Sequence, residues 1–229
     1  MTEAQDRFEL LSKYSETAYW YIERHCHDDV EPAQAKQRDI TRWSFEVVRG
    51  ARPDVQPFTN LLIQFPAGDN EAPDWIAPDN SVFVHAAPLD IGNSFDIPFQ
   101  PVRPFFVLEY LTEANRRRIQ ENYELCERKL EIRYYLRFDF NASTLELFKL
   151  DGGKYSTILP NAFGRYAIPE LELEVALLDK WVRYWFRGEL VPLPGDLLKE
   201  RDAERKARQA AEAELAKLRD ELAKAKEQD

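Results

Sequence analysis

The hydrophobic pattern changes period along the chain. Phe8, Leu11, Tyr14, Ala18 and Ile22 recur at three- and four-residue spacing, with Tyr19 beside them, which predicts an amphipathic helix over residues 3–25. Residues 26–60 read as mixed, with a short strand-like piece at Trp43–Val48 between Pro- and Asp-rich breaks. The period then falls to that of strands. Leu61–Phe65, Ser81–Ala86 and Phe105–Leu111 are short runs of branched and aromatic residues separated by proline-bearing loops.

Thr112 or Asn115 can cap a further helix, which runs to about Lys129 without internal Gly or Pro. Ile132–Phe140 and Leu145–Leu150 predict a hairpin, and Lys154–Leu159 a third strand after the Gly152-Gly153 turn. Leu171–Phe186 reads as another helix, with Trp181, Tyr184 and Trp185 as core packing rather than a base-stacking surface. These elements predict a mixed α/β (α+β) body, residues 1–190, with a central mixed sheet spanning 61–140 and flanking helices. A Pro/Gly linker at 191–196 then leads to a charged helix over 197–229. Ala211, Leu215, Leu218, Leu222 and Ala225 repeat there at four-three spacing, the seam of a coiled coil. The seam is short, and Glu204 and Arg208 before it are polar, so a solvated helix stands beside a self-associating one.

At 229 residues with 44% hydrophobic content, the chain can build a sizeable core. No N-terminal leader pattern or membrane-length apolar run occurs, and the expectation is a cytoplasmic protein. Cys26 and Cys126, the only cysteines, have no metal or redox spacing. A net charge of -10 argues against a protein that coats nucleic acid and leaves only a local basic groove for a polyanion.

One residue disturbs the strand pattern. Glu109 stands alone in FFVLEYL, where an unpaired charge must be hydrogen-bonded, shared with a cation or turned outward. Asp79 precedes the neighbouring strand, and two carboxylates at such positions can share a divalent cation. Pro-Asp also begins ordinary turns, as at Pro53-Asp54 and Pro73-Asp74. The cluster His25-Cys26-His27-Asp28-Asp29 has metal-liking side chains, but adjacent residues diverge on a helix, and it reads as a helix terminus.

The order IAPDNSVFV, PFFVLEYLTEANRRR, helix, RKLEIRYYLRFD resembles the Uma2 family (DUF820) of predicted endonucleases, which carry the PD-(D/E)xK fold. The match rests on Pro78, Asp79, Glu109, Thr112, Ile132, Tyr135 and Asp139, and extends by order and texture over residues 60–229. The resemblance implies a restriction-endonuclease-like central sheet and Mg2+- or Mn2+-dependent hydrolysis of DNA phosphodiesters. Asp79 and Glu109 become catalytic metal ligands, and Arg116, Arg117 and Arg118 lie near the phosphates. An N-terminal carboxylate, Glu16 or Glu23, is a further candidate ligand. The chain also departs from the pattern. Leu111 occupies the motif's lysine position, and on the following helix Asn122 stands where Uma2 proteins often carry that lysine, Arg118 where Asp is expected and Cys126 where Tyr is common. Two readings follow: an endonuclease, or an inactive nuclease-like scaffold that associates with itself or other proteins, as a dimer through a sheet or the C-terminal helix.

Overall fold

The computed structural model describes residues 3–25, 31–68 and 71–226. They form two units, Met1–Val191 and Pro192–Asp229.

Helix α1 (Glu3–His25) opens the first unit. Helix α2 (Pro32–Ala51) follows, with proline in its first turn, where the missing N–H costs nothing. Its buried residues Gln37, Ile40, Thr41, Ser44, Phe45 and Val48 recur at helical spacing. The strand-like piece at Trp43–Val48 is therefore the last part of a helix. Trp43 and Val47 are exposed and Phe45 and Val48 buried, so three-to-four spacing decides over β-propensity.

A six-stranded sheet comes next, built from β1 (Val55–Thr59), β4 (Asn80–Val84), β6 (Phe106–Leu111), β7 (Tyr134–Asp139), β8 (Thr144–Asp151) and β9 (Lys154–Ile158), in that spatial order. Only β6 and β7 run parallel, because α3 (Arg116–Arg128) crosses between them; the other pairs are antiparallel. A three-stranded sheet contains β2 (Ile63–Phe65), β3 (Asp74–Ile76) and β5 (Phe95–Asp96). A four-stranded sheet contains β10 (Tyr166–Ile168), β11 (Leu173–Leu178), β12 (Trp181–Phe186) and β13 (Glu189–Leu190).

The helix expected over Leu171–Phe186 is thus a hairpin, β11 and β12, closed by Asp179 and Lys180 with φ of 52° and 67°. Two consecutive left-handed residues make the tight turn that matches strand twist, a role that usually falls to Asn-Gly. Leu173, Val175, Val182 and Tyr184 point inward with a period of two, and Trp185 is also buried.

Every residue of β6 is buried, since both faces of the central sheet are covered. On one side Phe106, Leu108 and Tyr110 pack with Phe45 and Val48 of α2 and with Val182 and Tyr184 of β12. On the other, Val107 joins Cys126 of α3, Tyr135 of β7 and Phe95 of β5. Glu109 lies in the middle layer of this arrangement and is fully buried.

The second unit is helix α4 (Pro194–Lys226). It begins inside the expected linker, where Leu193 N–H donates to Asp196 at 3.1 Å.

Candidate functional site

Asp79 sits one residue before β4, and Asn80 is paired with Leu108 across the antiparallel ladder. Continuing that register brings Asp79 beside Glu109. Both are buried, with relative exposures of 2% and 0%. The sequence brings these two acids together, but each finds its partners in a different layer.

Asp79 turns toward α2. Its Oδ1 accepts from Gln34 Nε2 and from Arg38 Nε, each at 2.6 Å, and its Oδ2 accepts from the Tyr110 backbone N–H at 2.6 Å. The Arg38 contact is an ion pair, with the arginine side chain only 16% exposed. Gln34 and Arg38 stand four residues apart on one face of the helix, so a single turn of α2 supplies both donors.

Glu109 turns toward α3. Its Oε1 accepts from Asn122 Nδ2 at 2.7 Å, while Oε2 has no hydrogen-bond partner. Burial and the charge of Asp79 push its carboxyl up to about 8, against opposing pulls from Asn122, Arg118 and the nearby Asp79 backbone N–H. This favours the protonated form of Glu109 near neutral pH.

The loop from β6 to α3 fixes this geometry. Asn115 Oδ1 accepts from Thr112 N–H at 2.8 Å, and Asn115 Nδ2 donates to the Tyr110 carbonyl at 2.9 Å. These bonds lash the start of α3 to the end of β6 and set the position of Asn122 two turns later. Arg116 and Arg117 begin the helix, where Arg116 pairs with Glu113 and more loosely with Asp139, and Arg117 with Glu121. Arg118 is exposed, close enough for its charge to act on Glu109. A cleft of about 790 Å³ lies beside these residues; its lining includes Leu111, Arg116, Arg117 and Asp139 but neither Asp79 nor Glu109.

Does this donor set fit a divalent cation? The unpartnered Oε2 of Glu109 argues for one, because a buried polar atom without a hydrogen-bond partner is costly whether or not it carries the proton. The other donors argue against it. Both oxygens of Asp79 are engaged and a guanidinium already supplies the positive charge, while the Tyr110 carbonyl is held by Asn115. A hard cation takes about six oxygen ligands, and among the described residues no group of three His, Cys, Asp or Glu could hold a metal. Glu16 is exposed on α1 and accepts from Ser12; Glu23 is exposed as well. Of the cluster from His25 to Asp29, residues 26–29 lie outside the described residues. As the side chains stand, the site does not fit Mg2+ or Mn2+.

Gln34 and Arg38 escaped the sequence reading because α2 was not recognised as a helix. The signal was present: Gln34, Gln37, Arg38 and Thr41 form a polar stripe at helical spacing.

Comparison with known proteins agrees with this architecture. The Uma2 family model, described as "Putative restriction endonuclease", matches residues 29–179. Among solved structures, the chain is similar to a "putative nuclease belonging to DUF820" from Anabaena variabilis ATCC 29413. That match has a TM-score of 0.52 and 16% identity, and covers 67% of this chain and 83% of the other. No curated protein matches the sequence.

Proposed function

This chain belongs to the Uma2 family, and from that premise we propose that it is a non-cleaving member, a nuclease fold that acts as a protein-binding or self-associating scaffold. The observation that carries this reading is the Arg38–Asp79 ion pair at 2.6 Å. It places a permanent internal cation on the carboxylate that the family resemblance assigns to a metal, and an arginine cannot surrender its charge near neutral pH. The lysine positions point the same way. Leu111 is apolar, and Asn122 donates a hydrogen bond to Glu109 without being able to take up or release a proton there.

The cleft also lacks the field that a polyanion needs. Four acids, Glu113, Glu121, Asp139 and Glu146, face three arginines, Arg116, Arg117 and Arg137. All three arginines are paired with cleft acids, Arg116 with Glu113 at 2.7 Å, and Arg117 with Glu121 and Arg137 with Glu146 at 2.8 Å. With its arginines paired internally, the cleft offers few free cations to displace DNA counterions.

A second reading has one observation in its favour. The orphaned Oε2 of Glu109 would be satisfied if Asp79 and Glu109 held Mg2+ or Mn2+ in a DNA endonuclease, with Arg116–Arg118 at the phosphates and Arg38 displaced. Incubation of supercoiled plasmid with the purified full chain across Mg2+, Mn2+ and Co2+ separates the two. The first reading expects no nicking and no retention of duplex DNA near physiological salt. Metal-dependent nicking that Asp79→Ala and Glu109→Ala each abolish would establish the second.

A further inference from the structure

We propose that α4 pairs with the α4 of a second copy of this chain as a parallel two-stranded coiled coil, independently of whether the body cleaves phosphodiesters. The helix is 33 residues long, and within its own unit Leu215 and Leu218 stand 54% and 49% exposed. With Leu215 at position a of the heptad and Leu218 at d, Ala211, Leu222 and Ala225 fall on the same seam.

Charge placement identifies the occupant. In a parallel pair each g residue faces the e residue of the partner's next heptad. Here that sets Glu200 against Arg205 and Glu214 against Arg219, each pair occurring twice by symmetry. The combination between them, Ala207 with Glu212, is neutral against charged. No g–e pair is like-charged. An antiparallel pair brings g against g and e against e, which places Glu214 near other glutamates and Arg219 near other basic residues. The pattern therefore complements itself only in the parallel orientation.

The number of strands follows from Arg208, which occupies an a position one heptad before Leu215, as Arg201 does two heptads before it with Glu204 at the d between them. In a dimer a long side chain at a can run outward and keep its guanidinium in water, whereas three such groups around a trimer axis crowd together. Its ion pair with Glu212 at 2.8 Å already draws it to the helix surface.

Sedimentation velocity of the full chain tests this proposal. The expected species at roughly 50 µM is a dimer that dissociates on dilution. Arg219→Glu sets like charges at both g–e contacts and is expected to weaken the dimer at least about 10-fold, and adding Glu214→Arg in the same chain restores it. Orientation has its own readout: under mild oxidation Leu218→Cys forms a disulfide between copies, and Lys217→Cys, outside the seam, does not. A monomer at that concentration, a trimer, a dimer indifferent to Arg219→Glu, or a failure of Leu218→Cys to cross-link would each overturn the proposal. Circular dichroism of each variant confirms that the body remains folded.

Discussion

A carboxylate without water must find its compensation inside the protein, and Asp79 and Glu109 do so in opposite ways. Asp79 is held in an ion pair with Arg38, whereas burial pushes Glu109 toward holding its proton. Arg38→Ala leaves the first charge with two neutral donors, and we expect a loss of about 3 kcal/mol in urea unfolding, in the range for breaking a buried pair from one side. Glu109 sets a pH dependence of definite sign. Between 4.5, its ordinary value, and about 8, the unfolded chain releases the proton and the folded chain keeps it. Stability therefore falls as pH rises through that window, by at most about 1.4 kcal/mol per pH unit for this group. Glu109→Gln, measured in a chelating buffer, is expected to remove that slope and to be more stable than the wild type above pH 8. The two acids were visible in the sequence because each broke a pattern, a charge in an apolar strand and a Pro-Asp before one. The partners of Asp79 were not, because hydrogen bonds to residues 41 and 45 positions earlier leave no trace in local spacing.

At the level of elements, α2 joins the two larger sheets. Gln37 Oε1 accepts from Val182 N–H at 2.9 Å and its Nε2 donates to the Val182 carbonyl at 3.2 Å, so this side chain imitates a neighbouring strand. Thr41 and the Tyr184 hydroxyl bond one turn further on, at 3.1 Å. Gln37→Leu has nearly the same volume but strands both backbone groups of Val182, and we expect a loss of about 2 kcal/mol together with faster amide exchange in β12 than in β7. Legibility in the sequence followed the same physical divide. Strands β4, β6, β7 and β8, helices α1 and α3 and the C-terminal helix carried their period over enough residues to be read directly. The hairpin of β11 and β12 did not, because its turn uses Asp179 and Lys180 in place of glycine, and a continuous aromatic and aliphatic run suits a buried helix equally well.

For the whole molecule, both main hydrophobic clusters are built from residues of the first unit. A chain ending at Val191 is therefore expected to unfold as a body with the same denaturant slope as the full chain, since that slope tracks the surface exposed by the core; near-UV circular dichroism in urea checks this. No helix among the described residues is long and apolar enough to cross a membrane. The Arg38–Asp79 pair has a further consequence for redesign. Removing Arg38 alone leaves Asp79 buried without its counter-charge, while lysine at position 122 alone acts on Glu109 and leaves the Arg38–Asp79 pair in place, so an engineered metal site is expected to need both changes together.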